Sequence, residues 1–172
     1  YADCFGFTKE EVLNALKEYG LEDRQNEVKK WYDGFCFGDI KDIYNPWSII
    51  NYLDNKVAAP YWVNTSSNDL IGKVLQEGNV QIKESFERLL RQETIYTEID
   101  EKMIHDQSDI DENAIWSLML ASGYLKVNSS YVKETSRGWN RIYELSITNF
   151  EVLIMLKKMV RSWFSPSASN YN

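Results

Sequence analysis

Residues 31–53 read WYDGFCFGDIKDIYNPWSIINYL, and the expected fold follows from this stretch. Trp31-Tyr32-Asp33-Gly34 has the form of a helix end, with Gly34 able to take the left-handed conformation after it. The interval from Phe35 to Tyr44 fits only a small hairpin or irregular loop, with Gly38 as its turn residue. Asn45-Pro46 then opens a helix. Asn45 can cap it, and proline at the first helical position gives up an N–H that no carbonyl requires. A helix stop, an aromatic loop and a helix start thus follow one another closely. Trp31 and Trp47 lie in this stretch, and Trp62 lies in an echo of it at 61–71, YWVNTSSNDLI. The aromatics are expected to form a joint that fixes two helices against each other. Such clusters are usually core, and a ligand or protein-partner surface is the competing reading. The candidate motif residues are Trp31, Tyr32, Asp33, Gly34, Asn45, Pro46, Trp47, Trp62, Asn64, Ser66 and Asn68.

Toward the N-terminus, Thr8 and Glu11 form a capping box and Phe7 with Val12 a hydrophobic staple. Val12, Leu13, Leu16 and Tyr19 supply a helical stripe that Gly20 ends. A second helix is expected from about Asp23 to Tyr32. Beyond the joint, Ile49, Ile50 and Leu53 are spaced to face inward from a helix running from Pro46 to about Asn55. Asn64 to Ser67 offers capping side chains for a further helix, and ordinary capping explains them better than anion binding. A helix over about 80–91 follows, with Ile82, Phe86, Leu89 and Leu90 apolar. Thr94 to Ile99 is strand-like.

Residues 100–111 are acidic and polar and form the expected border between two lobes. Asp111 starts a helix ending at Ser122-Gly123. Strands are expected at 124–127, 131–133 and 141–147, with a polar turn at Ser136 to Gly138. Asn149, or Thr148 with Glu151, caps a last helix to about Phe164. The expected fold class is mainly α with small antiparallel β elements. Residues 1–110 form a helical lobe, 111–164 a winged-helix-like lobe and 165–172 a flexible tail.

The chain has 172 residues and a net charge of −7, with 44% hydrophobic and 14% aromatic content, which argues against disorder. Residues 1–110 carry 12 Lys and Arg against 21 Asp and Glu, whereas 111–172 carry 7 against 5. The acidic front disfavours broad contact with nucleic acid. Cys4 and Cys36 do not make a disulfide scaffold and are expected as free thiols in a cytoplasmic protein. No apolar run is long enough to span a membrane, and no membrane partner is expected.

Several ordered motifs carry a resemblance. FGFTKEEV, WYDGF-FG, IYNPWSI, YWVNTSSNDLI, IWSLMLASGYLKV and the step Thr148-Asn149-Phe150-Glu151-Val152 together resemble the predicted AAA-ATPase-like family of bacterial proteins. The resemblance spans residues 1–164. It implies an ATPase core before this region and a PD-(D/E)XK nuclease-like domain after it. This chain is therefore expected to be a middle piece that couples the two, with a lid-like front lobe. ATP and Mg are implied for the parent protein only, and no cofactor or metal is expected here. Relatives are expected to carry a basic or polar residue where Cys36 stands, which weakens a phosphate role for that loop.

No catalytic residue is assigned and no enzyme activity is expected. There is no GxxxxGK[ST] loop, Gly-x-Ser-x-Gly elbow or HExxH. His105, the one histidine, has no Cys–His context. Asp100-Glu101-Lys102 fits (D/E)xK, but Glu27-Val28-Lys29 and Asp39-Ile40-Lys41 fit it equally, and no Pro-Asp precedes it. Arg24, Arg88, Arg91 and Arg137 could each reach a phosphate, and no motif selects one. The alternative function is a winged-helix nucleic-acid-binding module using Lys133, Arg137, Trp139 and Arg141. The helix after Asp111 contains no Lys or Arg, so weak or no binding is expected.

Overall fold

The structure is a computed structural model that describes residues 6–37, 40–62, 66–99, 112–136 and 138–164. Helices dominate, with a two-stranded and a three-stranded antiparallel sheet. The mainly α class with antiparallel β elements therefore holds at that level. The chain divides into two compact units, residues 1–64 with 148–172, and residues 65–147. This differs from the expected division at 110/111. The last helix groups with residues 1–64 rather than with the hairpin before it, its first turn being bound by Lys30, Trp31 and Ser48 and by the Trp62 backbone. The expected tail at 165–172 and border at 100–111 lie outside the described residues, as do Cys4, Asp111, His105 and the Asp100–Lys102 step.

The discontinuous unit begins with α1 (Lys9–Glu18). Both halves of its capping box form: the Glu11 N–H donates to Thr8 Oγ1 and the Thr8 N–H to Glu11 Oε2, at 3.3 and 2.8 Å. A short 3-10 turn at Glu22–Arg24 leads into α2 (Gln25–Tyr32). Strands β1 (Phe35–Phe37) and β2 (Ile40–Ile43) make the expected small hairpin. Asn45 caps α3 (Pro46–Asn55), its side chain accepting from the Trp47 N–H at 2.9 Å, with Pro46 in the first turn. Asn149 caps α7 (Phe150–Trp163), which packs against α2. The core combines Val12, Leu16, Val28, Tyr32, Tyr44, Ile49, Tyr52 and Leu53.

One inward assignment in α3 is corrected. Ile50 is 48% exposed, while Ser48 and Tyr52 are fully buried beside Ile49 and Leu53. The buried face repeats at three and four residues, through 48, 49, 52 and 53, and Ile50 falls outside that stripe. Hydropathy favoured Ile50, but the geometry of the helix selected Ser48.

The continuous unit contains α4 (Ser66–Glu77), α5 (Val80–Leu90), β3 (Ile95–Thr97), α6 (Glu112–Ala121), β4 (Leu125–Thr135) and β5 (Gly138–Ile147). Asn79 caps α5, and its buried side is Ile82, Phe86 and Leu89. The strands run in the order β3-β5-β4. The sequence suggested short strands at 124–127 and 131–133. They are instead one strand, continued through an irregularity between Val127 and Ser129. A bulge lets a ladder continue past a stretch whose polarity alone reads as a break.

Candidate functional site

Glu151 gathers three of the sequence's motifs. It occupies the first turn of α7, where a carboxylate meets the positive end of the helix dipole. The side chain is fully buried. Ser48 Oγ lies 2.9 Å from Oε1 and 2.8 Å from Oε2, so its hydroxyl donates between the two oxygens. The Trp62 backbone N–H donates to Oε1 at 2.9 Å. Ser48 comes from the IYNPWSI motif, Trp62 from YWVN, and Glu151 from the Thr148–Val152 step. Burial pushes the Glu151 carboxyl above the ordinary glutamate range, and the hydrogen bonds from Trp62, Ser48 and Tyr61 oppose that shift.

Phe150, the neighbouring residue, is held by rings and charge. Trp31 meets it edge-on with centroids 4.8 Å apart, and Lys30 Nζ lies 4.6 Å from its ring centroid. Tyr32 is fully buried and packs edge-on against Tyr52. The Tyr32 hydroxyl donates to the Ala59 carbonyl at 2.9 Å and accepts from the Ala59 N–H at 3.0 Å. Burial pushes this phenol upward, as it does Tyr44 beside Asp33. The Tyr52 hydroxyl donates to Glu27 Oε1 at 2.7 Å, and burial together with that carboxylate raises its pKa to about 12. These phenols therefore stay neutral at physiological pH and serve as hydrogen-bonding core.

The candidate residues separate by environment. Trp31 packs against both Tyr32 and Phe150 of α7, the Trp62 backbone N–H reaches Glu151 in the same turn, and the Trp62 ring meets Phe35 edge-on at 5.7 Å. Asp33 is buried and accepts from the Gly34 N–H at 2.7 Å. Gly34 has φ +111° and follows Asp33, the extended residue that ends α2 after Tyr32. Asn45 and Pro46 act as helix start. Trp47 is 60% exposed, with Nε1 donating to the Tyr61 carbonyl at 3.1 Å. It is a surface residue rather than a core anchor, because it lies off the buried stripe of α3. Asn64 lies outside the described residues, as do the side chains of Ser66 and Asn68. Sequence reasoning overlooked Ser48 and assigned Glu151 to capping. The available signal was an acid in line with the apolar stripe of α7, four residues before Met155.

The nucleic-acid candidates do not form one surface. Across the β4–β5 ladder, Lys133 pairs with Asn140, Arg141 with Val132, and Trp139 with Glu134. Side chains alternate along a strand, so Trp139 and Arg141 share one face and Lys133 projects from the other. Trp139 is 71% exposed, but its cross-strand neighbour is an acid. Arg141 Nη1 donates to Ser130 Oγ at 3.1 Å, and Arg137 lies outside the described residues. Cys36 is an exposed thiol whose Sγ lies 3.8 Å from the Gly34 carbonyl oxygen. Among the described residues, no three His, Cys, Asp or Glu side chains are grouped to hold a metal, and no helix is long and apolar enough to cross a membrane. No protein-family model, curated protein or solved structure compared with this chain matches it.

Proposed function

We propose that this chain is a non-catalytic coupling region of an AAA-ATPase-like protein, lying between an ATPase core and a nuclease-like domain. The carrying observation is the burial of Glu151 among Ser48, the Trp62 backbone and the helix start at Asn149. The residues behind the family resemblance are used to join chain segments far apart in sequence. A region built this way suits transmission of position between neighbours better than binding of a substrate. In this reading residues 1–64 with 148–164 make the lid-like part. Residues 65–147 make the winged-helix-like part, since α5, β3, α6, β4 and β5 follow in that order with β5 central in the sheet. ATP and Mg belong to the core, and the partners are the two flanking domains.

The direct test is the complete reading frame, expressed and assayed for ATP turnover. We expect a phosphate-binding loop upstream, turnover by the intact protein, and changed turnover after Ser48→Ala although Ser48 touches no nucleotide. A reading frame without that loop, or ATP hydrolysis or DNA cleavage by the present chain alone, would refute the coupling role. Direct nucleic-acid binding by the hairpin is the competing reading, supported by the exposure of Trp139. The division of the basic residues between two faces weighs against it.

A further inference from the structure

We propose that β4 is a self-association edge, pairing antiparallel with β4 of a second copy about a two-fold axis at Val132. This proposal is independent of the coupling role. In the order β3-β5-β4, β4 lies at the sheet margin. An edge strand directs alternate N–H and C=O groups away from its own ladder. Among the described residues, 126–134 make no backbone–backbone hydrogen bond outside the sheet. Every residue from Val127 to Glu134 is exposed. On the far side, β3 reaches only Tyr143 to Leu145, so the outer part of β4–β5 is a two-stranded ribbon. Such a ribbon has little stability of its own in water.

Natural edges are usually blunted by proline, bulges, shortness or several lysines. β4 has eleven residues and no proline, and its single irregularity lies between Val127 and Ser129. The stretch from 129 to 135 is regular, and its centre is Val132. Tyr131 and Val132 are 48% and 50% exposed.

The occupant follows from the register. An antiparallel pair related by a two-fold axis at Val132 sets Val132 opposite its own copy. Tyr131 then faces Lys133 of the other copy, twice, which favours cation–π contact. Ser130 faces Glu134 of the other copy. Ser130 already accepts from Arg141, so that glutamate arrives beside a guanidinium. No like charges oppose each other. An axis one residue later would set Lys133 against Lys133, and two residues later Glu134 against Glu134. The ladder assigns Tyr131 and Lys133 to one face and Ser130 and Glu134 to the other, so every pair in this register shares a face. The product is a continuous sheet in the order β3-β5-β4-β4-β5-β3. An interface of this extent belongs to the weak, concentration-dependent class.

Sedimentation equilibrium of the whole chain tests this. With rising concentration the wild-type mass should move from 20.2 kDa toward twice that value. Val132→Lys alone and Val132→Glu alone each place like charges on the axis and should remain monomeric. An equimolar mixture of the two variants sets lysine against glutamate and should regain the dimer mass. A wild type that stays monomeric at every concentration overturns the proposal. So does a dimer that either single variant leaves intact, or a mixture that stays monomeric. A mass that rises only on adding duplex DNA also overturns it and assigns the ribbon to nucleic acid.

Discussion

At the scale of single residues, burial and hydrogen bonding rank the joint differently from hydrophobicity. Ser48→Ala removes one hydroxyl yet leaves a buried carboxylate without its side-chain donor. A hydrogen bond to a charged group contributes about 1.5–3 kcal/mol, so we expect a loss of that order in a urea melt. Tyr32→Phe should cost a similar amount, because the Ala59 N–H loses its partner and the Ala59 carbonyl keeps only the Tyr61 N–H. Trp47→Ala should cost only about 1 kcal/mol, well below the ~3–5 kcal/mol of a buried aromatic. A midpoint loss for Trp47→Ala larger than that for Ser48→Ala would contradict this order. Glu151 also makes stability depend on pH. Burial raises its pKa in the folded chain, so the folded state holds the proton more tightly than the unfolded chain does. That contribution is complete below the unfolded value and is lost as pH rises through the raised folded value. Glu151→Gln has no such loss. Its stability minus that of wild type should therefore climb as pH is raised from about 4, the ordinary glutamate range, toward neutrality. Urea midpoints of both proteins across that interval check the sign, and a flat or falling difference would exclude Glu151 as the titrating group.

At the scale of elements, local chemistry was legible and partnership was not. The capping box of α1, the Asn45-Pro46 start of α3 and the Asn149 cap of α7 depend on residues within a turn of each other. They could be read directly, and they form as expected. The continuity of β4 could not be read, because Asn128-Ser129-Ser130 resembles a loop until a cross-strand partner supplies its ladder. The face of α3 was misread at Ile50 for a related reason: Ser48 is buried by a carboxylate from residue 151. The close approach of Gly6 to β2 was equally hidden. A Cβ there would meet Ile43 Cγ2 and lie 2.8 Å from the Tyr44 carbonyl oxygen, next to the paired Phe7–Tyr44 bridge. Gly6→Ala should therefore destabilise by about 1–3 kcal/mol, the range for overpacking, although alanine is the smallest change available. A thermal melt no lower than wild type would show that the bridge can shift at no cost. For the β4–β5 ribbon the element-scale expectation concerns nucleic acid. With Lys133 on one face and Arg141 on the other, few phosphates can be met at once, and binding should be weak and vanish as salt rises. Duplex titrations at low and physiological salt measure it. Tight binding at physiological salt, lost in Arg137→Ala with Arg141→Ala, would reverse the assignment.

At the scale of the whole molecule, the chain order conceals how the residues group. The long apolar stripe of α7 announces a packed helix but not its partner, so nothing in the sequence separates 148–164 from the strands before it. The structure supplies the partner through side chains from positions 30, 31 and 48 and the backbone N–H of Trp62. Within the discontinuous unit, Trp62 and Glu151 stand on either side of residues 65–147 in the chain. The Trp62 N–H and the Glu151 carboxylate are 2.9 Å apart, so the two segments of this unit meet there. A short Gly/Ser linker can span such a gap and closes it with less loss of chain entropy than a long connection. We therefore expect a chain of residues 1–64 joined by that linker to 148–172 to fold on its own. It should retain the near-ultraviolet dichroism of the Trp31–Phe150 packing and a single cooperative urea transition. Residues 1–64 alone should lose both, because Ser48, Trp31 and the Trp62 backbone would lack the helix that completes them. Ser48→Ala in the linked chain should lower its midpoint as it does in the full chain. If the linked chain shows no cooperative transition while residues 111–172 fold by themselves, α7 belongs with the hairpin, and the division at 110/111 describes the molecule better.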